Sequence, residues 1–485
     1  MKARDTGHSK TKSAITAFMV LSAAFGAFSE VVIDAENFII RQQWPWSGKV
    51  QAEFMVEGTV TAPGATAKVN AYDGDKLICE IPSSQLEGDV VITAGGKKSI
   101  SFNPSAVPAI KERGIIKDFR LGIEYVDGTV DYNSPNILYV IFDLENKGQV
   151  QVLTENDITG GSSAREGTGM YGAWKRRYWD AGADTVAWLG VNAEEYKTTK
   201  LVFRHIPGHS FVMGSPDDEP GRFPNEEFNG TAEDQLKVYG YETRHKVTLS
   251  GYYIGVFELT QKQWKLLAGD RQFTSGAGDD YPAQNVKYTD IRGGDAPGKA
   301  ITESSFIGRL QAFLGSAYTV DLPTEAQWEA ACRAGTDTGL YSGRQLPSDP
   351  SYYQNGKTFF CADLAEIAVY FLDEDNKAIT SVLPVGGRKP NNYGLFDMIG
   401  NAGEICLDKF SDSKSDLGSA DASDPVFTGS GQRRAFRGGT VDAWISYQYG
   451  LAAFRSAARG SILSTDQQRQ YGFRVAMKTV VPAAN

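Results

Sequence analysis

The residues on which metal and nucleophilic chemistry most often rests are scarce in this sequence. Four cysteines and four histidines occur among 485 residues. His205 and His209 are four apart but flank Pro207-Gly208. Proline and glycine keep a helix from aligning those two imidazoles, so a helical zinc pair is excluded and satisfied structural histidines are expected. No serine lies in a G-x-S-x-G turn, and no glycine-rich phosphate loop precedes a helix, so neither a hydrolase elbow nor a nucleotide site is indicated. Basic charge is also in short supply. Lys and Arg total 49 against 59 Asp and Glu, a formal net charge of −10, which disfavours nucleic acid and anionic membrane surfaces as partners. After the N-terminus no apolar run approaches the roughly 20 residues of a membrane span.

What the N-terminus does contain reads as an export signal over residues 1–29. Lys2, Arg4, Lys10 and Lys12 precede an apolar run from Ala14 to Phe28, with small residues at Ala27 and Ser29. Its removal takes four positive charges and Asp5, moving the net charge from −10 to −13. The mature chain is expected to be secreted or to lie in the periplasm or cell envelope, without a membrane span. Such a compartment permits disulfides, but the four cysteines Cys79, Cys332, Cys361 and Cys406 allow three complete pairings and spacing does not choose among them.

The length calls for more than one core. Residues 30–130 read as an all-β sandwich of immunoglobulin or fibronectin type. Val50, Ala52, Phe54 and Val56 alternate with polar residues, Phe119, Leu121, Ile123 and Tyr125 do so again, and Asp73-Gly74 and Gly95-Gly96 mark turns. Residues 131–196 read as a connecting β-rich region, with Ile137–Phe142 as a buried strand.

Residues 197–480 form the third region. Pro216–Gly240 is polar and acidic and reads as an exposed loop. Thr260 is placed to cap a helix through Trp264, and Phe306, Leu310, Phe313 and Leu314 stand at helical spacing. Thr324 and Gln327 have the spacing of a capping box, Trp328, Ala331 and Cys332 share a face, and Gly335 supplies a stop. Cys332 therefore reads as a packing residue. The glycines of Pro390–Asp408 mark a tightly wound loop, in which Asn401 and Glu404 offer an amide oxygen and a carboxylate to a hard cation or, alternatively, to a turn and to solvent.

That loop also carries a resemblance. Its "NNYGLFDMIGN" and "GEICLD" resemble a signature segment of the formylglycine-generating enzyme (sulfatase-modifying factor) family. Other family-like segments follow in order: "FVMGS" at Phe211–Ser215, "GYYIGVFELTQKQW" at Gly251–Trp264 and "DLPTEAQWEAACRAG" at Asp321–Gly335. "FRGG" at Phe436–Gly439, "AAR" at Ala457–Arg459 and "YGFRVA" at Tyr471–Ala476 complete the set. The resemblance implies an α+β fold, a C-type-lectin-like sulfatase-modifying-factor domain with little regular structure. It also implies copper-dependent oxidation of a substrate cysteine to formylglycine, through two cysteines placed between Gly439 and Gly472.

That window contains no cysteine, and Ala443 and Leu451 stand at the two matching positions. Copper is therefore not expected, because Cu(I) needs soft sulfur ligands, and no residue is assigned a catalytic role. From the same resemblance, Asn401, Ala402 and Glu404 are carried over as ligands of a structural calcium ion, although Gly403 and Ile405 replace family tryptophans. A second calcium site would fall around Asp363 and Asp375. Arg437, Arg455, Arg459 and Arg474 match family arginines and are expected in internal salt bridges. Asp442, Trp444, Tyr447, Gln448 and Tyr449, with Phe454, place aromatic and hydrogen-bonding groups where the thiols would be, as recognition surfaces do.

The expected function is thus a calcium-stabilised binding or envelope interaction module, with a protein or glycan ligand and no oxidase activity. An active sulfatase-modifying oxidase and a purely structural envelope protein are the alternatives.

Overall fold

The structure is a computed structural model that describes residues 32–42, 48–57, 60, 64–92, 95–113, 116, 118–127, 137–147, 149–154, 194–222, 242–294, 300–353, 360–410, 421–429, 432–441, 450–467 and 469–479. It divides into two compact units, Met1–Leu138 with Val150–Ala164, and Tyr139–Gln149 with Arg165–Asn485. The expected export signal at residues 1–29 lies outside the described residues.

In the first unit the alternating segments become strands. One sheet holds β1 (Val32–Gln42), β2 (Val50–Glu57), β5 (Leu86–Gly88) and β7 (Gly96–Phe102), in the order β1-β2-β7-β5. The other is centred on β3 (Ala65–Asp73), which pairs with β4 (Lys76–Ile81), β6 (Val91–Ile92) and β8 (Phe119–Asp127). A short helix, α1, covers Pro108–Lys111. Every second residue of β2 is buried, so Val50, Ala52, Phe54 and Val56 join Val69, Ile100, Phe102 and Leu121 in one core. Two sheets sharing one core is what period-two patterning produces when each sheet buries a single face.

The second unit takes up the chain within β9 (Ile137–Asp143), from Tyr139 on; β9 is the apolar run read as a buried strand, and its first six residues are all buried. β10 (Val150–Thr154) is counted with the first unit. After α2 (Glu194–Thr198), β11 (Lys200–Ile206) pairs antiparallel with β9, setting Val202 opposite Ile141. β12 (His209–Met213) and β13 (His245–Leu249) pair antiparallel, and β14 (Tyr252–Gly255) returns to the other side of β11. Both expected helices form: α3 (Gln261–Ala268) and, after α4 (Tyr288–Ile291), α5 (Phe306–Leu314). Thr260 and Gln263 close a full capping box on α3, and Ser305 caps α5 by accepting from the Gly308 N–H at 3.1 Å. Trp264 of α3 stacks on Phe306 of α5 at 5.0 Å, and Phe473 meets both rings edge-on.

β15 (Tyr318–Asp321) leads into α6 (Glu325–Arg333), which sits at the centre of the unit. Thr324 and Gln327 form the expected capping box, with hydrogen bonds of 3.1 and 3.0 Å. The one-sided burial expected of α6 is not what forms. All nine residues from Glu325 to Arg333 are buried, charged ones included. The helix also ends one residue early, on Ala334 at φ +45°, with Gly335 following at φ +89°.

β16 (Gly403–Lys409), β18 (Arg433–Arg437), β19 (Gly460–Leu463) and β20 (Tyr471–Gly472) make the sheet that packs on α6, in the order β19-β18-β16-β20. β17 (Ala422–Ser423) extends the β12-β13 pair in parallel. β21 (Ala476–Thr479) closes the main sheet between β14 and β15. Sequence ends far apart thus share one sheet.

Candidate functional site

Two stretches meet under α6: the turn Asp397–Glu404 and the start of the Gly439–Gly472 window. They are joined through backbone. The Gly400 N–H donates to the Gly438 carbonyl at 2.8 Å, and the Val441 N–H donates to the Asn401 carbonyl at 2.9 Å. Gly400 is held at φ +84°, and a Cβ there would lie 2.3 Å from the Val369 carbonyl oxygen, so only glycine fits. Asp397 and Asn401 also take left-handed conformations, at φ +54° and +57°, which short polar side chains tolerate best.

The residues assigned to a cation are close together but already engaged. Asn401 Oδ1 accepts from the Leu383 N–H at 2.9 Å, and its Nδ2 donates to Glu258 Oε2 at 2.7 Å. The Ala402 N–H donates to Glu258 Oε1 at 2.7 Å. Glu404 accepts from Arg474 Nη2 at 2.5 Å, from Arg474 Nε at 2.6 Å and from Trp328 Nε1 at 2.7 Å. Calcium wants six or more oxygens free to coordinate, and this donor set does not fit one without breaking the Arg474 pair. Among the described residues no group of three or more His, Cys, Asp or Glu is arranged to hold a metal ion. The second locus is likewise occupied: Asp363 pairs with Arg344, and Asp375 pairs with Lys377 at 2.8 Å.

What fills the turn instead is buried acid. Burial, then the nearby Asp397, raises the Glu258 carboxyl well above its ordinary value. Burial also pushes Asp397 up to about 6, against the hydrogen bond its carboxylate accepts from the Gly386 N–H.

The four arginines carried over from the resemblance do form internal pairs, all of them buried. Arg437 donates to Glu325 at 2.8 Å and to Glu329 at 3.0 Å. Arg459 binds the same Glu325 at 2.5 Å, and Arg474 takes Glu404. Arg455 joins Glu219 at 2.7 Å and Glu242 at 2.6 Å, and Ser215 Oγ also donates to Glu242 at 2.6 Å. Burial raises Glu325, but Arg459 and Arg437 outweigh it and hold the carboxyl at about 2. Desolvating each of these charges costs several kcal/mol, which only close pairing and hydrogen bonding repay, so a buried arginine here that lost its acid would be strongly destabilising. Arg437 stands just before the window, Arg455 at its midpoint and Arg459 inside its second half.

The sequence pointed to these arginines but not to their acids. Glu219 lies in the stretch read as an exposed loop, yet it is buried against Arg455. Glu329 also pairs with Arg333, four residues on along α6, at 2.9 Å.

Within the window, Asp442, Trp444, Tyr447, Gln448 and Tyr449, together with Ala443, lie outside the described residues. Leu451 is fully buried in the short turn Gly450–Ala453. Phe454 belongs to the core rather than to a recognition surface. It is fully buried and meets Tyr370 and Phe371 edge-on at 5.9 Å each, because the turn before it directs the chain inward.

All four cysteines are free. Burial pushes the Cys332 thiol up to about 12 and the Cys406 thiol well above its ordinary value, and it raises Cys361 and Cys79 as well. A thiol so far from its thiolate form is a poor nucleophile and a poor metal ligand.

The second unit is an α+β domain of the C-type-lectin-like sulfatase-modifying-factor class, and in this chain buried Arg–Glu pairs surround α6. Residues 191–479 match the family described as "Sulfatase-modifying factor enzyme 1-like domain", and the chain belongs to that family.

Among its relatives, "Chaperone protein LppX" of Paenibacillus barcinonensis is 31% identical over 33% of this chain and 63% of its own length. The formylglycine-generating enzyme of Bos taurus is 32% identical over 32% of this chain and 38% of its own. That of Mus musculus is 25% identical over 51% and 71%. The chain therefore spans less than two thirds of the first two relatives. Among solved structures, PvdO from Pseudomonas aeruginosa aligns with TM-score 0.41 and 23% identity, over 57% of this chain and 94% of that one. No helix among the described residues is long and apolar enough to cross a membrane.

Proposed function

We propose that this chain is an exported member of the family that has given up the oxidase chemistry and serves as a binding module of the cell envelope. One observation carries the reading: the Gly439–Gly472 window holds no thiol. Without paired sulfur there, Cu(I) has no ligands and a substrate cysteine has no partner for a mixed disulfide. The buried, protonated cysteines elsewhere support it. So does the intact arginine lattice, which keeps the frame around the window although the reactive groups are gone.

Recognition is assigned to Asp442, Trp444, Tyr447, Gln448 and Tyr449, three aromatic and two polar side chains of the kinds that suit a protein or glycan surface. Similarity to a protein described as a chaperone favours a protein ligand over a small molecule.

The test is incubation of the purified protein with a cysteine-containing sulfatase peptide, oxygen and copper. No aldehyde is expected by mass spectrometry, and stoichiometric conversion of cysteine to formylglycine overturns the reading. Binding is tested separately on glycan and envelope-protein arrays. Alanine at Trp444, Tyr447 and Tyr449 is expected to abolish hits without changing the melting temperature, whereas an array with no hits favours the purely structural alternative.

A further inference from the structure

We draw no further inference here: the strongest candidate, the buried carboxylate cluster of Glu258, Asp397 and Glu404 beneath the Gly400 turn, in which Asp397 Oδ1 has no hydrogen-bond partner among the described residues, belongs to the site already described.

Discussion

The thiol of Cys332, on α6, lies 3.6 Å from the hydroxyl of Ser456, which stands next to Arg455 in the window. Both side chains are fully buried, and the two residues are separated by 124 positions. Serine thus stands where a second thiol would come within reach of the first.

Ser456→Cys is therefore expected to form a disulfide with Cys332 when the protein is purified under oxidising conditions. Closing a loop of this length stabilises by about 4–5 kcal/mol in the chain-entropy account, less any strain. Thiol titration of the unfolded, unreduced variant should show two fewer free thiols than the reduced form, with a raised melting temperature. Recovery of every thiol would show that the backbones are too rigid to approach.

The pair formed by Arg474 and Glu404 allows a sharper test of the buried lattice. Arg474→Met leaves the Glu404 carboxylate buried and unpaired, and it should cost about 3–5 kcal/mol in urea unfolding. Adding Glu404→Gln removes the stranded charge while keeping an oxygen for the Trp328 N–H. The double variant should recover a substantial part of the loss. If it is as unstable as the single one, packing of the guanidinium and not charge pairing sets the energetics there.

Glu325 makes acid stability predictable. Its carboxyl titrates at about 2 in the folded state, below its ordinary value of 4.5. The stability this confers is fully present above pH 4.5 and is lost as pH falls through about 2, because the unfolded chain takes up the proton first. Glu325→Gln should therefore lower stability at pH 6 and flatten the decline between those two values. Parallel pH curves for the two proteins would rule out Glu325 as a source of that slope.

The hydrogen bonds within the Asp397–Glu404 turn bear on the calcium expectation. With Glu404 neutralised by Arg474 and Asn401 engaged by Leu383 and Glu258, chelation should move the melting temperature by no more than about 1 °C. A fall of several degrees in EDTA, restored by calcium alone, would mean that the turn exchanges these bonds for metal coordination.

Local chemistry was readable wherever one segment decides its own shape. The caps at Thr260 and Thr324, the alternation along β2 and the apolar run of β9 each name their structure, because the deciding contacts lie within a few residues. The absence of cysteine from the window is likewise a fact of composition. Misreadings arose where burial is set from a distance. Glu219 looked like loop surface because its partner, Arg455, is 236 residues away, and α6 looked one-sided because the arginines that let its acids be buried come from β18 and the window.

The sequence alone determined the family, the caps and strands, and the lack of paired sulfur, for each is carried by residue identity and short spacing. Only the tertiary structure decided which acid each arginine meets, that Phe454 faces inward and that Glu404 is claimed by Arg474. A buried charge takes whichever partner the packed chain brings within about 3 Å, and sequence order does not measure that distance.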